Sequence, residues 1–196
     1  LSDIQYNHKK KWITYGSSIT QCKAADSPSV TWPAIVARNR KFDLTCLGYG
    51  GMCHLEPLIA SMIRDQEADI ISLCLGINIY SAVSLNHITF GPGINGFIKI
   101  IREKHPLTPL IVISPIYSSS WENKPNSVGF TIKKMRSEIE KSIISLKNNG
   151  DKNLYYINGL NILNSELSHL LPDDLHPNST GYKIMAENIL KFLPNI

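Results

Sequence analysis

Asp69-Ile70-Ile71-Ser72-Leu73-Cys74-Leu75-Gly76-Ile77-Asn78 is the stretch on which the fold turns. From Ile70 to Leu75 it is almost continuously apolar, as expected of a strand covered on both faces, and such strands belong to parallel sheets. The run stops at Gly76. Toward the N-terminus, Lys11 to Tyr15 reads as a first strand, followed by Trp32, Ile35 and Val36 at helical spacing within 31–41, with Pro33 tolerated in the first turn. Phe42 to Leu47 is a second short apolar run, closed by Gly48-Tyr49-Gly50-Gly51, and Leu55, Leu58, Ile59, Met62 and Ile63 then mark one helix face within 54–66.

Toward the C-terminus the alternation continues. Residues 80–90 lack periodicity and predict a loop, Pro92 to Lys104 resumes helical spacing, and Leu110 to Ser114 is a fourth strand. Pro115 to Ser127 is long and irregular, the kind of connection that carries function on a rigid scaffold. Val128 to Lys147 is the longest helical pattern, Leu154 to Ile157 a fifth strand, and Asn178 or Ser179 can cap a last helix ending at Phe192. Strands alternating with helices predict an α/β fold: a five-stranded parallel sheet with helices on both faces, joined by right-handed crossovers.

A chain of 196 residues suits one domain spanning 1–196, and 43% hydrophobic with 18% charged residues describes a globular protein. The net charge of +4 is mild, and Lys9-Lys10-Lys11 reads as a solvated lead-in, so no nucleic-acid partner is expected. Cys22, Cys46, Cys53 and Cys74 show neither a Cys-x-x-Cys pair nor metal-finger spacing, and no metal is expected. Cys46 and Cys74 lie in apolar runs as small buried hydrophobes, which favours a reducing compartment. With no signal peptide opening the chain, the cytoplasm is the expected location. No apolar run approaches the roughly 20 residues that span a bilayer.

In a parallel sheet every strand's carboxyl end lies on one edge, so residues far apart in sequence can converge there. Gly16-Ser17-Ser18 follows the first strand and offers Ser18 as a nucleophile. A serine hydroxyl needs a base within hydrogen-bond reach, usually a histidine oriented by a carboxylate. Asp173 and His176, three residues apart in one proline-bounded turn, suit that pairing, with Nε2 left to take the proton of Ser18. Donors for a developing oxyanion are available in the backbone N–H groups of Ser18 and Gly51 and the side-chain amide of Asn78. Tyr80 and Trp121, in the irregular segments of the active edge, are candidates for a substrate pocket; Tyr15 and Trp32 suit the core equally well. His54 reads as a helix-start histidine satisfied by backbone.

Gly16-Ser17-Ser18-Ile19-Thr20, Gly48-Tyr49-Gly50-Gly51, Gly76-Ile77-Asn78 and Asp173-Asp174-Leu175-His176-Pro177 together resemble the four blocks of the SGNH hydrolases, the GDSL-type lipases and esterases. The resemblance covers nearly the whole chain. It implies a flavodoxin-like three-layer α/β/α sandwich and hydrolysis of a small-molecule ester without a cofactor. It makes Ser18 the nucleophile, His176 the base and Asp173, in preference to Asp174, its partner, with Gly51 and Asn78 in the oxyanion hole. Two positions depart from the pattern: Ser17 stands where the family usually has Asp, and Ile79 where Asp often follows the block-three Asn. The same constellation allows transfer of the acyl group to an acceptor other than water, and the two departures motivate a catalytically silent binding module as a third reading.

Overall fold

A computed structural model describes residues 9–194. Five strands, β1 (Lys11–Gly16), β2 (Asp43–Gly48), β3 (Ile70–Cys74), β4 (Leu110–Ile113) and β5 (Leu154–Ile157), form one sheet in the order β2-β1-β3-β4-β5. All four pairings are parallel, with Gly16 opposite Gly48 at one end of the β1–β2 register and Cys74 opposite Ile113 at the end of β3–β4. The chain leaves β1 toward one side of the sheet and leaves β3 toward the other. The switch point therefore lies between the carboxyl ends of β1 and β3, where such sheets open a crevice.

Seven helices accompany the strands among the described residues: α1 (Ser18–Gln21), α2 (Trp32–Arg40), α3 (Pro57–Asp65), α4 (Ile77–Ala82), α5 (Phe90–Arg102), α6 (Ile132–Asn148) and α7 (Ser179–Phe192). Alternate residues of a strand point to opposite faces, and β1 displays this directly. Trp12 packs on Trp32 of α2, ring centroids 5.9 Å apart, whereas Tyr15 stacks on Phe97 of α5 at 5.3 Å. Helix α2 packs on α7 on the first face, and α5 packs between α3 and α6 on the second. Three layers result. Ile70, Ile71 and Leu73 of β3 and all four residues of β4 are buried, as the continuous apolar run of a doubly covered strand requires.

Three sequence-based boundaries and one burial expectation need correction. Residues 80–90 are not wholly a loop, because α4 begins at Ile77, directly after Gly76 at φ +112°, and runs to Ala82. A six-residue helix with Ile77, Asn78, Ile79 and Tyr80 all buried is too short to show a period. Helix α3 starts at Pro57 instead of His54, the proline occupying the first turn where its missing N–H costs nothing. Helix α6 starts after Thr131, whose hydroxyl accepts from Lys134 N at 3.1 Å, and not at Val128. Cys46 is exposed rather than buried, since β2 is an edge strand only partly covered, while Cys74 is half-buried; all four cysteines are free.

Candidate active site

Strand β1 ends at Gly16, and Ser17 then caps α1, its hydroxyl accepting from Ile19 N at 3.2 Å. That contact uses Ser17 locally, as a helix N-cap. Ser18 becomes the first residue of α1 at the switch point, 9% exposed, and its Oγ lies 2.8 Å from His176 Nε2 across 158 residues of chain.

His176 is held from the opposite side. Its Nδ1 lies 2.7 Å from Asp173 Oδ2, while Asp173 Oδ1 accepts from the backbone N–H of His176 at 2.7 Å and of Leu175 at 3.1 Å. Desolvation alone raises the carboxyl pKa, but the His176 and Leu175 donors prevail and bring Asp173 down to about 2. An ionised carboxylate only accepts, so the imidazole proton sits on Nδ1 and the Nε2 lone pair faces the Ser18 hydroxyl. Asn178 caps the following α7, its side chain accepting from Gly181 N at 2.9 Å. The cap anchors the turn that carries His176.

The turn after β2 lies against the Gly16-Ser17-Ser18 turn, backbone to backbone. Tyr49 N donates to Gly16 O at 2.8 Å, and a Cβ on Gly48 would fall 2.3 Å from Gln21 N, so only glycine permits that approach. A Cβ built on Gly50 would come within 3.7 Å of Ser18 Cβ. Gly51 adopts φ +76° and has no protein atom within 4 Å of the position a Cβ would take. Its glycine character answers to the backbone angle and not to a neighbouring side chain. Asn78, 7% exposed on α4, accepts from Cys53 N through Oδ1 at 3.1 Å. That bond orients the amide and leaves its Nδ2–H₂ free to donate. Ile79, where the resemblance expects Asp, is fully buried in the core.

Tyr80 lies on α4 and not in an irregular loop. It is 5% exposed, its ring centroid is 5.2 Å from that of the half-buried Trp121, and its hydroxyl donates to Lys124 O at 2.9 Å. Both rings thus brace the connection from β4 to α6. Sequence reading overlooked two further ties on that connection. Arg136 of α6, 4% exposed, donates to Pro115 O and Ile116 O and pairs with Glu122. Ser119 and Ser120 donate to the Asp174 carboxylate at 2.5 and 2.7 Å. Arg136 stands beside Met135 on the apolar stripe of α6, the one available sign that its charge is directed inward.

Among the described residues, no group of three or more His, Cys, Asp and Glu side chains is placed to hold a metal ion, and no helix is long and apolar enough to cross a membrane. An α/β/α fold with a hydrogen-bonded serine and histidine at the sheet's carboxyl edge is the architecture of the SGNH class of hydrolases. The chain belongs to the GDSL-like lipase/acylhydrolase family, whose profile matches residues 9–194. Among solved structures it is similar to the salicylyl-acyltransferase SsfX3 from a tetracycline biosynthetic pathway, with 36% identity and a TM-score of 0.87 over 95% of this chain and 55% of that one. A putative GDSL-like lipase from Bacteroides ovatus aligns at 28% identity and TM-score 0.76 over 92% of this chain and 51% of the other. The chain thus spans about half the length of each of these two proteins. A family 3 carbohydrate esterase from Clostridium thermocellum shares the fold at 19% identity and TM-score 0.70, over 94% of this chain and 95% of that one. No curated protein matches the chain at a significant level.

Proposed function

We propose that residues 1–196 form one catalytic unit, a serine esterase that cleaves small acyl esters through an acyl-enzyme. The observation that carries this reading is the continuous hydrogen-bond chain Ser18 Oγ, His176 Nε2, His176 Nδ1, Asp173 Oδ2, with links of 2.8 and 2.7 Å. Ser18 Oγ attacks the ester carbonyl while His176 Nε2 takes its proton, and the imidazolium formed is stabilised by the ionised Asp173. The oxyanion collects N–H groups from Ser18, Gly51 and Asn78. His176 then protonates the departing alcohol, and a water activated by the same base releases the acid.

The turn after β2 is open at Gly51 and Met52, the latter 63% exposed, and an open turn of this kind suits small esters presented from solvent, such as acetylated sugars or short-chain esters. Turnover of p-nitrophenyl acetate by the wild type and its loss in Ser18→Ala is the expected result. Equal rates in the two proteins would sink the reading. Failure of Ser18 to label with an organophosphonate would favour a silent binding module.

The 36% identity to an acyltransferase supports a second reading, in which an alcohol other than water accepts the acyl group from Ser18. Mass spectrometry of products formed with and without an added alcohol separates the two. A new ester growing at the expense of free acid marks transfer.

A further inference from the structure

Behind the glycine turn, the segment Cys53-His54-Leu55-Glu56 forms a network that the acyl-transfer chemistry does not itself use. Leu55 adopts φ +65°, the left-handed region that a bulky residue enters only when its surroundings impose it. Its side chain is buried, which pins the distorted backbone. The distortion turns His54 N toward Glu56, whose two carboxylate oxygens each lie 3.1 Å away. Glu56 Oε2 also accepts from Tyr15 OH at 2.7 Å, and Tyr15 is a fully buried residue of β1. Burial pushes the Tyr15 phenol pKa well up, so the hydroxyl remains a donor. One carboxylate thereby ties the segment to the sheet.

The imidazole of His54 continues the tie to the oxyanion side. Its Nε2 is 2.9 Å from Gly51 O and its Nδ1 is 2.9 Å from Ser84 Oγ. A carbonyl only accepts, so Nε2 carries a proton, and the hydroxyl of Ser84 donates to Nδ1 when the ring is neutral. Cys53 N, the neighbouring peptide, is the group that orients Asn78. Gly51, at φ +76°, has no side chain of its own to hold it. Both candidate donors supplied from outside the nucleophile turn are therefore steadied by this one segment, through Gly51 O on one side and Cys53 N on the other.

From this we infer that His54 and Glu56 are positioning residues, fixing the Gly51 and Asn78 donors through the Tyr15–Glu56–His54 network. The inference rests on the proposed esterase reading, in which those donors meet the oxyanion. Preorganised donors act only as well as their geometry is held, and losing one costs about 10²- to 10³-fold in turnover. Loosening two without removing either is expected to cost about 10- to 100-fold in kcat, with KM within about threefold.

The test measures kcat and KM on p-nitrophenyl acetate for His54→Ala, Glu56→Ala and Glu56→Gln, alone and combined with Asn78→Ala. Glu56→Gln keeps one accepting oxygen and is expected to recover most of the activity that Glu56→Ala loses. In the Asn78→Ala background the cost of His54→Ala should shrink to a few-fold, because residues acting through one another are not additive. His54 is only half-buried, so its variant carries the test if Glu56→Ala does not fold. Amide resonances of Gly51 and Cys53 in His54→Ala give a readout that needs no substrate, and both are expected to shift. If His54→Ala keeps kcat within twofold, costs its full factor beside Asn78→Ala, or leaves both resonances in place, the inference is overturned. If the wild type turns over no ester yet the resonances move, the esterase reading falls and the anchoring stands.

Discussion

Asp173 and Asp174 are adjacent in sequence and serve opposite sides of the site. Asp174 adopts φ +61°, and its carboxylate is taken by the Ser119 and Ser120 hydroxyls, which hold its pKa below the ordinary carboxylate range. Asp173 faces the imidazole of His176. The left-handed residue turns the chain between them, so one carboxylate meets the His176 imidazole and the next ties the His176 turn to the β4–α6 connection.

This division predicts very different outcomes for two similar substitutions. Asp173→Asn is expected to lower kcat by about 10³- to 10⁴-fold, since the amide no longer holds the productive tautomer. Asp174→Asn keeps one accepting oxygen for the serines and is expected to stay within about tenfold of wild type, as for loss of one exposed hydrogen bond. Steady-state kinetics on a single ester compares them, and the reverse ranking would transfer the role to Asp174.

Asn78→Ala removes a side-chain donor and also leaves Cys53 N without the acceptor it now has. Turnover is expected to fall about 10²- to 10³-fold. The effect should appear in kcat more than in KM, because the interaction is made with the transition state. A loss confined to KM would place Asn78 in ground-state binding instead.

Gly51→Ala tests whether the open space beside that residue belongs to the substrate. No protein atom crowds the new methyl, so the variant should fold, with a stability cost of about 1–2 kcal/mol from the left-handed angle. A fall in kcat of about tenfold or more is expected as the Gly51 N–H shifts or the methyl meets the acyl group. Thermal melts and kinetics on the same samples separate the two effects, and unchanged turnover would remove Gly51 from the site.

Acidification offers an independent check on Asp173. Its folded pKa, about 2, lies below the ordinary value of 3.8, so its ionised form stabilises the native state above that ordinary value. The contribution is lost as the pH falls through about 2. Below roughly pH 4 the Tm difference between wild type and Asp173→Asn should shrink. Its magnitude is reduced by solvent screening, since the side chain is 54% exposed. A difference that widens as the pH falls below roughly 4 would contradict the hydrogen-bonded, ionised state of this carboxylate.

The amino-acid pattern alone determined the α/β class, the five strands and the parallel sheet, because doubly covered strands must be apolar throughout and Ile70 to Leu75 is. It also singled out Ser18, His176, Asp173, Gly51 and Asn78 as candidates, since turns at strand ends can be read from glycine and proline. It did not resolve α4, where one and a half turns leave no period, nor the inward direction of Arg136, which depends on the loop folded over it. Tertiary structure alone decided that Ser18 and His176 meet at 2.8 Å, that Asp173 and not Asp174 faces the imidazole, and that Tyr15, Glu56 and His54 form one chain of contacts. Local sequence specifies which conformations a segment can adopt. The direction of a hydrogen bond across 158 residues depends on strand order and on a left-handed turn such as that at Asp174, which non-glycine sequence does not announce.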